Sequence, residues 1–385
     1  MKIGSNDKPA GNPDRCPTGR FGEVFELARH ALGMDKQGAK MFAHRAAGVA
    51  LRLVAFAVAV SAGTRAEAAD VYAGKQLTLV ASTESGSGYD LYARTVARWL
   101  PNHIPGRPAI VVQNMPGASG LRASNYLYNV APKDGLTIGL INNGNPFAPL
   151  YGMSQAHFDP TKFNWLGSPT KEISVFLLWH TVPVNSIAEA KNRELILGSA
   201  GAATGGAFYS RVLTAVFGLK IKTVSGYKGL AEALLAMERG ENEGYASSFW
   251  STLQSTRSEW IRDRKIKFML RYSGDVQPGL ENVPLATDLA ASEDDRALLR
   301  IVAAPFYLGR PMLAPPGIPA DRAALLKNGV NATVHSAEFR DDCAHQNLDC
   351  TSPSSGDEIA AIIADTYRAP ESVKKRLLAL YNAEQ

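Results

Sequence analysis

The sequence of 385 residues has only three cysteines, and it lacks the motifs that identify many enzyme families. It contains no G-x-S-x-G, no G-x-x-x-x-G-K and no complete G-x-G-x-x-G, which argues against a serine-hydrolase elbow, a phosphate loop and a dinucleotide fingerprint. The seven histidines are scattered and form no H-E-x-x-H. We therefore predict a protein that is not an enzyme and that holds no metal and no cofactor.

An excess of basic residues is also lacking over most of the chain. The formal net charge is +5, and residues 1–69 carry most of it. A nucleic-acid-binding domain usually has a basic face. We therefore expect no nucleic-acid partner.

The chain has no apolar run long enough to span a membrane. Residues 53–62 are apolar, but a spanning helix needs about 20 such residues. Basic residues precede this run, and Ala66-Glu67-Ala68 follows it, as in a secretory signal with cleavage near Ala68 or Ala69. We predict a signal peptide at 41–69 in an exported, periplasmic protein, with a membrane anchor as the alternative. Residues 1–40 are predicted to be a mis-annotated or disordered extension.

Cysteines are few, but two of them are close in sequence. Cys343 and Cys350 lie in the part of the chain that export would bring into an oxidising compartment, where disulfides form. A disulfide between them is one interpretation, and two buried free thiols are the other. With only His345 nearby, they do not complete a set of four metal ligands.

The most informative stretch is residues 109–139, which predicts one βαβ unit. Ile110, Val111 and Val112 form a β-branched run that indicates a strand buried on both faces. Pro116, Gly117 and Gly120 then form a turn, and a helix is predicted from residue 121 to 130 before the strand 137–141. The turn has no Lys or Arg, but backbone N–H groups at a helix start attract anions. It is therefore a candidate anion site.

The same pattern recurs along the chain. Strands are predicted at 77–81, 174–179, 195–197, 221–224, 244–248, 266–272 and 306–313. Glycine- and serine-rich loops follow several of them, at 83–88 and 198–206, and Asn142 and Asn143 end the strand 137–141. Asp90 near the first helix start is either a complement to the helix dipole or a ligand contact. Helices are predicted at 89–100 and, toward the C-terminus, at 320–333, 337–347, 357–367 and 371–381.

These motifs resemble those of the extracytoplasmic solute-binding receptors of tripartite tricarboxylate transporters, the TctC or Bug family. The matching motifs are GSGYDLYAR at 86–94, VVQNMPGASG at 111–120, NVAPKDG at 129–135, YKG at 227–229, APPGIPAD at 314–321 and SGDE at 355–358. They are spread over nearly all of residues 75–370. The chain departs from the pattern at Ser87 and Ser119, where many members have glycine.

The resemblance implies an α/β, Venus-flytrap-like periplasmic-binding-protein fold with two open sheets and a ligand cleft between them. Domain 1 would comprise 70–171 plus 303–385, and domain 2 would comprise 172–302. It further implies a monomer that captures a small carboxylate, a di- or tricarboxylate or related organic acid, and presents it to the membrane permease subunits. From the resemblance and from the polar loops at the strand ends together, the predicted substrate-binding residues are Thr83, Ser85, Gly86, Ser87, Gly88, Asn114, Gly117, Ala118, Ser119, Gly120, Asn142, Asn143, Ser199, Ala202, Ala203, Thr204 and Ser247.

Two other functions remain open from the sequence. A sensory receptor that feeds a membrane kinase would bind the same ligand, and a secreted hydrolase would use a serine in the cleft. The missing nucleophile elbow and the lack of a paired histidine argue against the hydrolase.

Overall fold

The computed structural model describes Gly33 and residues 71–383, except 202, 203 and 275. The predicted signal peptide and the extension before it lie outside the described residues. Among the described residues, no helix combines the length and the apolarity that a membrane crossing requires.

Two β-sheets organise residues 71–383, and helices cover both faces of each. The strands are β1 (Gln76–Ala81), β2 (Ala109–Asn114), β3 (Thr137–Leu140), β4 (Asn164–Ser168), β5 (Ser174–Trp179), β6 (Glu194–Ser199), β7 (Lys220–Ser225), β8 (Gly244–Phe249), β9 (Ile266–Arg271), β10 (Met312–Ala314) and β11 (Ser354–Ser355). The helices are α1 (Gly88–Trp99), α2 (Leu121–Asn129), α3 (Ile187–Ala190), α4 (Gly205–Phe217), α5 (Leu230–Glu238), α6 (Trp250–Thr256), α7 (Ser258–Arg262), α8 (Glu293–Leu308), α9 (Ala320–His335), α10 (Ala337–His345), α11 (Gly356–Tyr367) and α12 (Glu371–Asn382).

The first sheet has the order β11-β4-β10-β3-β1-β2. As predicted, β1, β2 and β3 are parallel, and their carboxyl ends meet at one edge. β10 runs antiparallel to β3 and β4. One face packs against α1, α9 and α10, and the other packs against α2 and α11. The predicted α/β class is confirmed.

The second sheet is formed by a continuous segment inserted into the first unit. Its order is β7-β6-β8-β5-β9, with β6 parallel to β7 and β8, and β5 antiparallel to its neighbours. α4 and α8 cover one face, and α5, α6 and α7 cover the other. The fold prediction of two open sheets is confirmed.

Local sequence explains the first helix. Ser87 caps it, because its hydroxyl accepts the Asp90 N–H at 3.3 Å. Tyr92 and Val96 bury one face against the first sheet, as the i, i+4 spacing predicts. Pro101 then follows within a short 3₁₀ turn, Leu100–His103.

Two strand predictions are wrong. β2 is an edge strand rather than one buried on both faces, and Val111 is 46% exposed. In the strand predicted at 306–313, residues 306–308 are the end of α8, residues 309–311 are neither helix nor strand, and only the short strand Met312–Ala314 is extended. α8 continues through Phe306 and Leu308 because these side chains pack into the cores beneath the second and the first sheet respectively.

The division into domains stays a prediction. The boundary at 302/303 falls inside α8. Val373 and Leu377 of α12, which the prediction assigns to domain 1, pack into the core under the second sheet.

The structure joins Cys343 and Cys350 in a disulfide. Both residues are buried with Tyr92 and Phe339 in the core between the first sheet and α9–α10.

The chain leaves the first sheet after Ser168 and returns to it after α8, and these two crossovers lie against each other. Gly309 has φ +60°, and a Cβ built there would lie 1.7 Å from the carbonyl oxygen of Thr170. The Glu172 N–H donates to the Phe306 carbonyl at 2.8 Å. The backbones approach so closely that only glycine fits at 309.

We predict that Gly309→Ala lowers the free energy of unfolding by at least about 2 kcal/mol more than Gly317→Ala. Gly317 also has a positive φ, of +79°, but open space surrounds its Cβ position. Comparing the two variants therefore separates the steric cost of the close backbone contact at residue 309 from the conformational cost of a positive φ, which both variants share. Urea denaturation of both variants measures the difference, and equal losses would contradict the proposed contact.

Candidate functional site

The loop after β1 is held by a single buried carboxylate. Asp90 Oδ2 accepts the Gly86 N–H at 2.8 Å and Arg94 Nε at 2.9 Å, and Oδ1 accepts Asn114 Nδ2 at 2.8 Å. Asn114 Nδ2 also donates to the Thr83 carbonyl at 3.0 Å. Asp90 therefore ties the loop 83–88 to the end of β2. Asp90 also lies in the first turn of α1, where its charge complements the helix dipole, which is one of the two alternatives that the sequence left open.

These contacts determine the protonation of Asp90. Burial alone would raise the pKa of this carboxyl, but the hydrogen bonds from Arg94, Gly86 and Asn114 outweigh it and lower the pKa below its usual value. The carboxyl is ionised at neutral pH. Its hydrogen bonds are charge-assisted and strong.

The loop after β2 has an unusual backbone. Gly117, Ala118, Ser119 and Gly120 all have positive φ, from +46° to +128°. For Ala118 and Ser119 this conformation costs about 1 kcal/mol each, a kind of strain that often marks functional sites. The side-chain position of Gly120 is occupied by Asn145 Nδ2, 2.8 Å from a built Cβ. The loop is held in this form by the structure around it.

The loop after β3 is hydrogen-bonded to the loop after β1, to α1 and to α8. The Asn142 N–H donates to Ser82 Oγ at 2.9 Å, and the Asn143 N–H donates to the Tyr89 hydroxyl at 3.1 Å. Asn143 Nδ2 reaches the Pro305 carbonyl at 2.9 Å. This last bond connects the first-sheet loop to α8.

On the second sheet, the predicted hydroxyls mostly bond to one another. Ser199 Oγ lies 2.8 Å from Thr204 Oγ1, and Thr204 Oγ1 donates to the Gly201 carbonyl at 2.7 Å. Ser247 Oγ lies 2.7 Å from Ser174 Oγ. Ser199 is fully buried. Ala202 and Ala203 lie outside the described residues.

A cavity of about 380 Å³ lies between the loops of the two sheets. From the predicted set it brings together Ala118, Ser119, Asn142, Asn143 and Thr204. Among the described lining residues, none is acidic, basic or histidine. The lining residues that the sequence analysis missed are Leu121, Gly144, Asn145, Ala148, Tyr151, Met153, Gln155, Gly205, Phe208, Tyr209, Pro305, Phe306 and Tyr381.

The other predicted residues do not line this cavity. They are Thr83, Ser85, Gly86, Ser87, Gly88, Asn114, Gly117, Gly120, Ser199 and Ser247. Two of the missed residues, Gly144 and Asn145, could have been found from the sequence, because they directly follow Asn142 and Asn143 in the same loop. Nothing in the local sequence pointed to Tyr151 or Tyr381.

Two helices begin at the cavity without a side-chain cap. The N-cap of α2 is Gly120, and that of α4 is Thr204, whose hydroxyl bonds elsewhere. The first N–H groups of a helix have no acceptor within the helix. At α2 the Leu121 and Arg122 N–H groups already donate to the Ala118 and Gly117 carbonyls, so the backbone donors that remain are those of the first turn of α4. The positive ends of both helices suit an anion.

A larger cavity, about 630 Å³, lies between α8 and α11. No residue singled out from the sequence lines it. Arg300, one of its charged lining residues, is already paired with Glu293 at 2.9 Å. We therefore place the candidate site in the smaller cavity.

One buried ion pair lies near the site, outside its lining. Arg310 Nη2 donates to Glu172 Oε1 at 2.6 Å, and the guanidinium stacks on the rings of Tyr89 and Tyr92, 4.5 and 5.3 Å from their centroids. Burial raises the pKa of Glu172, and Arg310 and Ser251 oppose this shift. Tyr89 also accepts the N–H of Asn143, which lines the cavity. The Arg310–Glu172 pair is therefore connected to the cavity through Tyr89 and Asn143.

Within residues 71–383 as described, no three His, Cys, Asp or Glu side chains are grouped as metal ligands would be.

No protein-family model and no curated protein matches the sequence. Solved structures do match. The chain is similar to a TctC solute-binding protein from Polaromonas, with 18% identity, a TM-score of 0.63, and coverage of 81% of this chain and 99% of that one. It is also similar to the periplasmic binding protein BugD, with 18% identity, a TM-score of 0.50, and coverage of 81% of this chain and 98% of that one. A third similar structure is MatC from Rhodopseudomonas palustris with bound malate, with 18% identity, a TM-score of 0.52, and coverage of 80% of this chain and 99% of that one.

At this level of identity the similarity shows the fold. The neighbours include TctC and Bug proteins, as the sequence motifs suggested, and the predicted two-domain periplasmic-binding-protein fold is confirmed. The TctC protein and BugD are binding proteins and not enzymes.

We predict that Asp90→Asn lowers the free energy of unfolding at pH 7 by about 2 kcal/mol or more, because hydrogen bonds to the charged carboxylate are lost. The folded pKa of Asp90 lies below the unfolded value, so its contribution is present above about pH 4 and is lost as the pH falls through the folded pKa. The difference in the free energy of unfolding between the wild type and Asp90→Asn should therefore become smaller below pH 4. Asp263→Asn, which removes an exposed carboxylate beside Arg262, should cost much less stability than Asp90→Asn. Thermal unfolding from pH 3 to 7 tests this, and a deficit for Asp90→Asn that stays constant with pH would contradict it.

Proposed function

We propose that this protein is a periplasmic solute-binding protein that captures a small carboxylate for a tripartite tricarboxylate transporter. The observation that carries the proposal is the cavity between the loops of the two sheets, which is bordered by two helix starts that lack a side-chain cap and is lined by no acidic side chain among the described residues. Backbone donors at helix starts favour a small anion, and among small anions the fold neighbours favour a carboxylate.

Neutral donors suit a protein that must release its cargo. Charged contacts in a closed cleft are strong and costly to break, whereas hydroxyl and backbone N–H donors give moderate binding. In this proposal Ala118, Ser119, Asn142, Asn143 and Thr204 contact the ligand. The loop 83–88, Asn114 and Ser199 position these ligand-contacting residues. Ser247 contributes to ligand binding from the second sheet.

The proposal extends to export and partners. The segment 41–69 acts as a signal peptide, the mature protein is a monomer in the periplasm, and membrane permease subunits receive the ligand. Three features support this: the pattern of the signal segment, the fold, and the naming of one neighbour as a periplasmic binding protein. The intact mass of the secreted protein would locate the cleavage site.

Native mass spectrometry of residues 70–385, purified without denaturation, tests the proposed function. We expect a co-purified species with the mass of a carboxylic acid. After its removal, we expect a gain of about 2.7 kcal/mol in stability at a hundredfold excess of ligand over its Kd. A protein that carries nothing and gains no stability from any mono-, di- or tricarboxylate would contradict it.

Ser119 permits a sharper test of the site. Ser119→Gly removes the hydroxyl and relieves the positive φ, so we predict a free protein that is up to about 1 kcal/mol more stable but binds its ligand roughly 2- to 12-fold more weakly. Asn347→Gly is the control, since Asn347 also has a positive φ, of +55°, but lies outside the cavity. Calorimetry on both variants measures the affinities. If the wild type and Ser119→Gly bind the ligand with equal affinity, the proposed contact between the Ser119 hydroxyl and the ligand is wrong.

A further inference from the structure

One side of the candidate cavity is a continuous row of aromatic rings, which we call the aromatic wall: Tyr381, Tyr151, Phe208, Tyr209 and Phe306. Tyr381 stacks on Tyr151 with centroids 4.8 Å apart, and Tyr151 meets Phe208 at 5.7 Å. Phe208 meets Tyr209 at 5.3 Å, and Tyr209 meets Phe306 at 5.6 Å. The five rings come from four separate parts of the chain, so their assembly is a property of the fold.

The polar atoms beside this wall are largely engaged. The Tyr209 hydroxyl donates to the Val302 carbonyl at 2.9 Å. Asn143 Nδ2 and Asn145 Nδ2 donate to the Pro305 carbonyl and to Ser124 Oγ. The side of the cavity formed by the wall therefore offers mainly ring surface, whereas polar groups are concentrated at the loops 118–119, 142–145 and 204–205.

The register of α4 connects these two regions. Gly205 lies in its first turn, and Phe208 and Tyr209 follow at i+3 and i+4, on the same side of the helix. One helical turn is about 5.4 Å. A carboxylate at the start of α4 would thus place the rest of its molecule against the rings.

A second carboxylate would find no ionic partner. None of the described lining residues is Lys, Arg or His, and the nearby Arg310 is engaged with Glu172. At the aromatic wall, burial raises the pKa of the Tyr151 hydroxyl well above its usual value, so burial there opposes a negative charge. A buried charge without a partner is strongly disfavoured.

We propose that the ligand is an aromatic monocarboxylate, bound with its carboxylate at the loops and its ring against the aromatic wall. This inference rests on the proposed function and narrows its ligand class. The volume of about 380 Å³ is near the lower end of the range for ligand pockets, about 300–1,000 Å³, and suits a single-ring acid. Ring-to-ring contacts add to the burial of apolar surface.

Calorimetry on the refolded, ligand-free protein with defined acids tests the proposal. The probes are benzoate and phenylacetate, cyclohexanecarboxylate as a non-aromatic acid of similar size, and malate, adipate and citrate. We expect the aromatic acids to bind at least tenfold more tightly than the di- and tricarboxylates, and more tightly than cyclohexanecarboxylate.

A pair of variants locates the contact. Tyr151→Leu should weaken binding of the aromatic acids roughly tenfold and change that of cyclohexanecarboxylate much less. Tyr128→Leu is the control, because Tyr128 is also half-buried against an aromatic ring, that of Phe163, but lies outside the cavity. It should leave every affinity unchanged.

The outcomes separate this inference from the proposed function. Tighter binding of malate, adipate or citrate would overturn the aromatic class while leaving a carboxylate-binding protein. Equal binding of cyclohexanecarboxylate and benzoate would overturn the requirement for an aromatic ring. Binding of no carboxylate at all would overturn the proposed function itself.

Discussion

The buried ion pair between Arg310 and Glu172 joins the two crossovers, and much of the architecture depends on it. Glu172 lies on the outgoing segment and also accepts a hydrogen bond from Ser251 at the start of α6. Arg310 lies on the returning segment and stacks on Tyr89 and Tyr92 of α1. Because a buried charge that loses its partner costs about 3–5 kcal/mol, the two segments are strongly held together. Elements of both sheets thus meet at one pair of side chains.

The site depends on this arrangement through a short series of contacts. Tyr89 receives the Asn143 N–H, and the Asn143 side chain donates to Pro305 of α8. The loops of the first sheet are therefore positioned by groups at the crossovers as well as by Asp90. Several side chains with the chemistry of ligand donors also form hydrogen bonds inside the protein. Ser199, Ser247 and Asn114 are examples, since each has a partner within the protein.

Much of the fold could be predicted from the sequence because the signals are local. Glycine and proline mark the turns after β2 and β6, and apolar spacing marks α1. The errors concern properties that depend on distant neighbours. Whether β2 is buried depends on whether another strand lies beyond it, and the helical state of Phe306 depends on packing under the second sheet. The aromatic wall could not be predicted, since no local pattern relates Tyr151 to Tyr381.

The separation of those rings in sequence has a kinetic consequence. The wall joins residues 151, 208–209, 306 and 381, and Arg211 Nε of α4 holds α12 by donating to the Leu380 carbonyl at 2.6 Å. Contacts between such distant parts of a chain form late, because long loops must close first. A chain folding from its N-terminus can complete both sheets before α12 docks. The cavity would then be the last part of the molecule to mature, and the ligand could act as a probe of the final folding step.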